Sequence, residues 1–333
     1  MKKKKLYTVG IDIGGTTTKI GLVNCNNNKF VLERYVEVDT LPGQNNLDKM
    51  LDVIIKEINK FKKEITACGV GVAALINTKD GVVIKAPNVL WSEVNLKKVF
   101  HRKINLPIII ENDANVATVG IYHTIIKKKY PNYKNIICLT LGTGIGGGII
   151  IDGKLLMGTS ATAAEVGHFV IKVNGEKCGC GSYGCLERFI GARWFIKDIV
   201  ETLKTSKYDT IIYELVNNDL SLLTPKLLYE AALKKDKFAL EQWKKFGKYL
   251  AVGVCNLINI LNPEIIVFTG GVAKASKFFL PFLKKEIKNY FWPVISKSRY
   301  YPAKYVKYVV VADKKIYGVI GAGILAYENF LSL

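Results

Sequence analysis

The chain has 333 residues, of which 49% are hydrophobic and 23% are charged, a balance typical of soluble globular proteins and a length sufficient for two domains. No apolar run approaches the roughly 20 residues that a membrane helix needs, so we expect no membrane association. The formal net charge of +20 is compatible with nucleic-acid binding. However, nearly all of it comes from scattered lysine, whereas bidentate recognition of phosphates and bases favours arginine, so we predict no nucleic-acid partner.

The chain begins with the basic stretch MKKKK, and the residues that follow it in the first third of the chain predict an α/β arrangement. The apolar stretch that follows is short and contains Asp12, so we do not expect a signal peptide, and we expect a cytoplasmic protein. The predicted elements, in chain order, are strands Leu6–Ile13, Lys19–Val23 and Phe30–Val38, helix Leu47–Phe61, strands Ala67–Ala74 and Pro107–Ile110, and a helix from about Ala114 to Lys127.

The pattern then restarts, which gives a weak internal repeat and suggests two similar α/β halves. A strand over Asn135–Leu141 is followed by a glycine turn at Gly142–Gly148 and a returning strand at Ile149–Ile151. The last helix is rich in small residues, which predicts close packing against another element. The later predicted elements are helices Ala192–Leu203, Tyr208–Val216, Pro225–Leu233 and Phe238–Leu261, strands Glu264–Phe268 and Tyr305–Val311, and helix Tyr317–Phe330.

Three predicted strands run into glycine, at Gly14-Gly15, Gly142–Gly148 and Gly270-Gly271. Glycine lets the backbone approach a ligand, and backbone N–H groups in such turns form anion cradles. The second turn matches G-x-G-x-x-G, but a strand follows it where the dinucleotide-binding fingerprint needs a helix. The first turn lacks the residue spacing of a P-loop. The three turns together indicate a bound nucleotide.

A compact group of metal-ligating side chains lies in the middle of the chain. His168, Cys178, Cys180 and Cys185 offer three thiols and one imidazole, a set that suits a tetrahedral structural zinc ion. A disulfide or unused thiols are the alternatives, and a disulfide would need an oxidising compartment. The remaining cysteines are predicted to be small core residues, namely Cys25, Cys68, Cys138 and Cys255.

These motifs resemble those of the ROK family of repressors and sugar kinases, closest to its glucokinase-like branch in the actin-like ATPase superfamily. D-I-G-G-T-T-T-K at 12–19 and L-G-T-G-I-G-G-G at 141–148 are similar to the two phosphate motifs of the family. E-N-D at 111–113 resembles its catalytic motif, and E-V-G-H at 165–168 with C-G-C-G-S-Y-G-C-L-E at 178–187 resembles its sugar and zinc motifs. The resemblance covers essentially the whole chain.

The resemblance implies two actin-like (ribonuclease H-like) α/β domains facing a cleft, with a zinc-bound loop. The smaller N-terminal domain is expected at 1–115, joined by the C-terminal helix at about 316–333. The larger domain, at 116–315, would carry the zinc site. Family members are usually dimers, so we expect a homodimer, and closure of the two halves over the sugar would exclude water.

The implied activity is ATP- and Mg²⁺-dependent phosphorylation of the 6-hydroxyl of glucose, with Asp113 as general base. The implied sugar-binding residues are Asn88, Asn112, Asp113, Glu165, His168 and Glu187. The implied nucleotide and Mg²⁺ residues are Asp12, Gly14, Gly15, Thr16, Thr17, Lys19, Gly142, Thr143, Gly144, Gly270 and Gly271. Purely structural roles remain open for three of these residues: Asp113 as a helix cap, Asp12 as a turn residue, and His168 as a zinc ligand only.

The exact sugar stays open because the strand at Gly69–Ala74 ends Val72-Ala73-Ala74, where the family usually has Pro-Gly. A kinase for N-acetylmannosamine, mannose or allose is therefore the alternative, and the phosphoryl donor is also undetermined. A sugar-responsive regulator is less favoured, because regulators of this family carry a helix-turn-helix domain before the first strand and only Met1–Lys5 precede it here.

Overall fold

The computed structural model describes residues 5–26, 29–290, 294, 297–298, 301–312, 314 and 316–331. The first four residues of the basic start and the last two of the predicted C-terminal helix range lie outside these residues. By backbone contacts the chain forms two compact units, the first made of residues 1–137, 148–164 and 314–333 and the second of residues 138–147 and 165–313. The domain boundary near residue 115 stays a prediction.

Strands predominate in the first half of the chain, and helices predominate after Leu186, as the apolar periodicity predicts. The strands are β1 Tyr7–Ile13, β2 Thr17–Asn26, β3 Lys29–Asp39, β4 Ile65–Val72, β5 Leu75–Asn77, β6 Val82–Ala86, β7 Trp91–Asn95, β8 Ile108–Asn112, β9 Ile136–Leu141, β10 Ile145–Ile151, β11 Lys154–Leu155, β12 Ile265–Thr269 and β13 Lys307–Val310. The helices are α1 Leu47–Asn59, α2 Leu96–His101, α3 Asp113–Ile121, α4 Lys127–Lys129, α5 Leu186–Ile190, α6 Ala192–Thr205, α7 Ile212–Leu215, α8 Pro225–Leu233, α9 Lys237–Leu261, α10 Ser276–Tyr290 and α11 Ile316–Phe330.

The first unit is built on a mixed five-stranded sheet with the order β3–β2–β1–β4–β8. β1 pairs antiparallel with β2 and parallel with β4, and β4 pairs parallel with β8. Because β1, β4 and β8 run in the same direction, their carboxyl ends meet at one edge of the sheet. Asp12 and Asn112 both lie at this edge, which brings the first phosphate motif next to the E-N-D motif.

The small residues of α11 allow it to lie directly on β1, β4 and α3, as predicted from the sequence. A Cβ added at Gly321 would lie 1.7 Å from the carbonyl oxygen of Val116, and one added at Gly10 would lie 1.8 Å from that of Val319. Gly318 faces Asp12, whose Oδ2 would lie 2.8 Å from such a Cβ. Any larger side chain at these glycines would push the helix off the sheet and disturb Asp12.

A second five-stranded sheet has the order β11–β10–β9–β12–β13, and β12 pairs parallel with β13. The helices α5 to α10 belong to the second unit. Their core is aromatic: Trp243 and Phe246 of α9 pack on Phe195 of α6 and Phe279 of α10, with ring centroids 4.9–6.4 Å apart. These contacts anchor α6, whose first residues hold the second glycine turn.

The structure differs from the sequence-based expectations in several places. The second glycine turn is shorter than predicted, because β10 begins at Ile145 and includes Gly146–Gly148. The first glycine turn ends before Thr17, which already belongs to β2. The predicted helix Tyr208–Val216 shrinks to α7, and the helix after Ala114 passes through a π-helical turn at Tyr122–Ile126. The elements that were not predicted are the sheet β5–β6–β7, the short strand β11, and helices α2, α5 and α10.

None of the helices in the described ranges combines the length and the apolar character that a bilayer crossing requires.

Candidate active site and metal centre

The E-N-D motif marks the junction between β8 and α3. Asn112 is the N-cap of α3: its Oδ1 accepts the backbone N–H groups of Ala114 at 2.8 Å and Asn115 at 3.4 Å, and its Nδ2 donates to the carbonyl of Ala74 at 3.1 Å. The helix is therefore capped by Asn112 and not by Asp113, since Asp113 is the first residue of the helix. The junction places the carboxyl group of Asp113 at the sheet edge.

Burial, together with the neighbouring Asp12 carboxylate, raises the pKa of Asp113 to about 6, while the Ala114 N–H and Lys19 act in the opposite direction. Asp12 and Lys19 are directly paired across β1 and β2, and their side chains form an ion pair at 2.7 Å. Both side chains are largely buried, at 14% and 15% exposure. Two carboxylates and one ammonium thus form a shielded charged cluster in the first unit.

Glu111 lies beneath this junction and was not singled out as a site residue by the sequence reasoning. It is 1% exposed, and its Oε1 accepts from the backbone N–H of Asn112 at 2.7 Å and from Nδ2 of Asn115 at 3.0 Å. Burial raises its pKa. Its place at the start of the E-N-D motif was the available signal, and its contacts stabilise the turn that presents Asp113.

The first glycine turn is closed by hydrogen bonds within the first unit. The N–H of Gly14 donates to the carbonyl of Thr17 at 3.1 Å, and the Thr40 hydroxyl donates to the carbonyl of Gly14 at 2.8 Å. Asn88 lies against this turn, because a Cβ at Gly15 would be 3.1 Å from its carbonyl oxygen. Asn88 is therefore brought next to the first phosphate motif.

The second glycine turn is held by residues far away in sequence. The N–H of Ala192 donates to the carbonyl of Gly142 at 3.0 Å, and the N–H of Arg193 donates to that of Thr143 at 3.2 Å. On the other side of the turn, the N–H of Ile145 donates to Oε2 of Glu187 at 2.9 Å. The start of α6 and one carboxylate of α5 thus fix the turn.

A pocket of about 730 Å³ lies beside this turn, entirely within the second unit. It brings together the second and third glycine turns, which the sequence predicted to act on one nucleotide. Aromatic and aliphatic side chains share the wall with lysine and glutamate. The lining residues are Gly142, Thr143, Ala192, Thr224, Pro225, Lys226, Tyr229, Glu230, Leu233, Trp243, Gly271, Val272, Lys274 and Ala275.

His168, Cys178, Cys180 and Cys185 converge, with their ligand atoms all within 4.8 Å of one another. The sulfur atoms of Cys180 and Cys185 are 3.8 Å apart, and Nδ1 of His168 lies 4.0 Å from Sγ of Cys178. A tetrahedral zinc site with Zn–S distances of about 2.3 Å places its sulfur ligands about 3.8 Å apart, so the donor set fits this ion in both chemistry and spacing.

The other ring nitrogen of His168 faces a predicted sugar residue. Its Nε2 lies 4.0 Å from Oε2 of Glu165, and the negative charge of Glu187 acts on Glu165 as well. Burial raises the pKa of Glu165. The predicted sugar residues of the second unit, Glu165, His168 and Glu187, therefore lie close together, while Asn88, Asn112 and Asp113 belong to the first unit.

Comparison with known proteins places this geometry in a family. The model of the ROK family matches residues 8–329. A glucokinase from Halalkalibacterium halodurans is 31% identical over 97% of this chain and 96% of its own length. A xylose repressor from Caldicellulosiruptor bescii is also 31% identical, over 84% of this chain and 70% of its own length.

Among solved structures, a ROK family glucokinase from Streptomyces griseus in complex with glucose and AMPPNP superposes with a TM-score of 0.77. It is 27% identical in sequence, and the match covers 97% of this chain and 99% of that one. The α/β class and the resemblance indicated by the motifs are confirmed. The chain therefore belongs to the ROK family, as a sugar kinase of the glucokinase-like branch.

Proposed function

We propose that the protein is an ATP-dependent hexose kinase that phosphorylates the 6-hydroxyl of glucose. The observation that carries this proposal is the placement of Asp113, a largely shielded carboxyl group with a pKa of about 6 beside the Asp12–Lys19 ion pair. An ordinary surface aspartate would be a weaker base. A pKa near the working pH suits a group that takes a proton from a substrate hydroxyl.

In this proposal the carboxylate of Asp113 accepts the proton of the sugar 6-hydroxyl as that oxygen bonds to the γ-phosphorus of ATP. The bond between the γ-phosphorus and the β,γ-bridging oxygen breaks, and ADP leaves with the electron pair. Phosphoryl transfer otherwise depends on positioning and on neutralisation of charge. Lys19 and the backbone N–H groups of Gly15, Thr143 and Gly144 are the candidate groups for that neutralisation, since the N–H groups of Gly14 and Gly142 already donate within their own turns.

Mg²⁺ would be held near Asp12, whose carboxylate is the kind of oxygen ligand that this ion prefers. Asp12 is anchored from two sides, by the ion pair with Lys19 and by the close approach of Gly318. When bound, the ion would draw charge from the phosphates of ATP. The further residues assigned to the phosphates in the first unit are Gly14, Gly15, Thr16 and Thr17.

We assign the nucleoside of ATP to the pocket of the second unit, which both Thr143 and Gly271 line. Gly270 has φ of +92°, and a Cβ there would lie 2.4 Å from the carbonyl oxygen of Leu141. Gly271 has open space at the same position, since no heavy atom of its surroundings lies within 4 Å of such a Cβ. Gly270 therefore shapes the turn, and Gly271 leaves room for a ligand.

We propose that the thiols of Cys178, Cys180 and Cys185 and Nδ1 of His168 hold a structural zinc ion with no open ligand position. His168 would then present Nε2 toward Glu165 and the sugar, which is the second role considered for it. A metal-bound histidine usually donates its other N–H to an oxygen partner, and Glu165 stands on that side. Zinc would thereby order two sugar-binding carboxylates, those of Glu165 and Glu187.

The sugar is the finer part of the proposal. Ala74 replaces a family glycine, and its carbonyl accepts from Nδ2 of Asn112, so this segment sets the position of a predicted sugar ligand. The alternative is a kinase for N-acetylmannosamine, mannose or allose with the same mechanism. A sugar-responsive regulator is the second class of function, favoured by the xylose repressor among the relatives. A homodimer and a cytoplasmic location complete the proposal.

The test is Mg²⁺- and ATP-dependent phosphorylation of glucose, mannose, N-acetylmannosamine, allose and fructose by zinc-loaded enzyme. We expect strong preference for glucose, and Asp113→Asn as the matched control should lower turnover by about 10²–10⁴-fold on every sugar. Preference for another sugar would keep the mechanism and correct the substrate. If no sugar is phosphorylated with ATP, GTP or polyphosphate, the kinase proposal fails; sugar-dependent retention on promoter DNA at physiological salt would then support the regulator.

A further inference from the structure

The carboxylate of Glu187 occupies a position that its sugar-binding role does not explain. Its Oε2 accepts the N–H of Ile145 at 2.9 Å, and Ile145 begins the strand that leaves the second glycine turn. The two residues are 42 positions apart in sequence. The side chain assigned to the sugar is therefore also a structural part of the turn assigned to the phosphates of ATP.

Glu187 lies against two glycines, whose lack of side chains leaves room for its carboxylate beside the turn. A Cβ at Gly144 would lie 2.4 Å from Oε2, and a Cβ at Gly191 would lie 2.9 Å from Cγ. The N–H of Gly191 also donates to the carbonyl of Glu187 at 2.7 Å. A shift of this carboxylate would either carry the Ile145 N–H with it or break the hydrogen bond to that group.

The far side of the same turn is fixed by the start of α6. Backbone N–H groups of Ala192 and Arg193 hold the carbonyls of Gly142 and Thr143. One half of the turn is thus attached to α6 and borders the nucleoside pocket. The other half is held by the carboxylate of Glu187 and by the N–H of Gly142, which donates to the carbonyl of Gly144 at 3.0 Å. The second half is the one that contacts a side chain assigned to the sugar.

We propose that Glu187 is a positioning residue that couples the two substrates: by holding the Ile145 N–H while it binds the sugar, it makes nucleotide affinity depend on sugar occupancy. This inference rests on the proposed function. The bond to Ile145 uses Oε2, and we assign the sugar hydroxyl to Oε1. A bound sugar then fixes both ends of the carboxylate, so the phosphate turn is already ordered when ATP arrives, and the nucleotide does not have to order it.

The experiment measures the dissociation constant of Mg²⁺–AMPPNP by calorimetry, with and without saturating glucose, on zinc-loaded enzyme. We expect AMPPNP to bind at least about fivefold more tightly with glucose, the lower end of typical coupling between sites. Glu187→Ala should bring this ratio to about one. The matched control is Glu165→Ala, which removes another proposed sugar carboxylate and should weaken glucose binding while leaving the ratio at saturating glucose unchanged.

Two further variants separate the effect of side-chain length from that of charge at Glu187. They also test the inference if the alanine variant does not fold. Glu187→Gln keeps the length and one acceptor oxygen for the Ile145 N–H, so it should retain most of the ratio. Glu187→Asp keeps the charge but is one methylene shorter, so it should lose the ratio. The reverse order of these two variants would overturn the inference.

The failures of the two proposals are distinguishable. If wild-type enzyme binds neither glucose nor AMPPNP, the proposed function fails and the coupling with it. If wild-type enzyme binds both, and the ratio is one, the function stands and the coupling is refuted. A wild-type ratio that survives in Glu187→Ala, or that Glu165→Ala removes equally, would also refute the role assigned to Glu187.

Discussion

The two phosphate turns are alike in sequence and differ in what supports them. Both follow an apolar strand and lead into a second strand, which is the weak repeat seen in the sequence. The first turn is closed by a neighbour, the Thr40 hydroxyl on the carbonyl of Gly14, and lies on a sheet packed tightly against α11. The second depends on Glu187, which directly follows the predicted zinc loop. The same local motif is thus supported by the tight packing of its sheet in one unit, and by a side chain from a loop that is distant in sequence in the other.

The largest effect should come from the carboxyl group beside the first turn. Asp113→Asn keeps the shape and can still accept the Ala114 N–H, but it cannot take a proton, so kcat should fall by about 10²–10⁴-fold. Sugar affinity, measured by calorimetry, should remain within a few-fold of wild type. Asp48→Asn, an exposed aspartate in the first turn of α1, is the control and should keep full turnover.

The next effect tests the dependence of the second turn on the metal loop. Cys185→Ser should lose bound zinc, measured by atomic absorption, and lower glucose affinity at least about tenfold, since even indirect disruption of metal sites often costs 10–100-fold. Cys255→Ala changes a buried cysteine outside the cluster and should retain zinc. Full sugar affinity in zinc-free protein would mean that the loop orders itself without metal.

The pH dependence returns to the first turn. With a pKa of about 6 for Asp113, kcat/KM should fall about tenfold per pH unit below pH 6, because only the ionised group accepts a proton. The raised pKa also means that this group stabilises the fold below its ordinary value of 3.8, and this contribution is lost as the pH rises through about 6. Asp113→Asn should therefore gain Tm relative to wild type between pH 5 and pH 8. An unchanged difference in Tm would contradict the shift.

A smaller effect compares two glycines of the second turn. Gly144→Ala would place a Cβ 2.4 Å from Oε2 of Glu187 and displace the oxygen that accepts the Ile145 N–H, so we expect a loss of about 1–3 kcal/mol in the free energy of unfolding. At Gly142 the nearest heavy atom to such a Cβ is 4.0 Å away, and Gly142→Ala should change stability by less than about 0.5 kcal/mol. Chemical denaturation of both variants measures the difference; equal losses would argue against the fixed carboxylate.

An effect of similar size is expected at the residue that closes the first turn. Thr40→Val keeps the side-chain volume but removes the hydroxyl that donates to the carbonyl of Gly14 and contacts the Thr18 hydroxyl at 2.8 Å. The carbonyl of Gly14 and the hydroxyl of Thr18 then lose this hydrogen-bond partner in a largely buried place, which costs about 1–3 kcal/mol in the free energy of unfolding. Thr40→Ser restores the hydroxyl and should recover most of the loss. If Val and Ser behave alike, the hydroxyl does not close the turn.

Much of the fold followed from the sequence because the signals are local. The apolar strands, the long helix α9 and the small-residue face of α11 were predicted within a few residues. The short sheet β5–β6–β7 and helix α2 were missed, since their strands have three to five residues and mixed polarity, too few for a clear period. Helix α10 was missed as well, and Pro281 interrupts its pattern.

By itself, the sequence determined the types of chemical group present: three glycine turns, an E-N-D carboxylate and a closely spaced set of three thiols and an imidazole. These follow from short-range spacing, which a linear chain displays directly. Only the tertiary structure decided that Asp12 pairs with Lys19 across two strands, that Asn112 rather than Asp113 caps α3, and that Glu187 holds the N–H of Ile145. Strand register and helix packing create such partners, and no local pattern carries the information about which backbone group a distant side chain will meet.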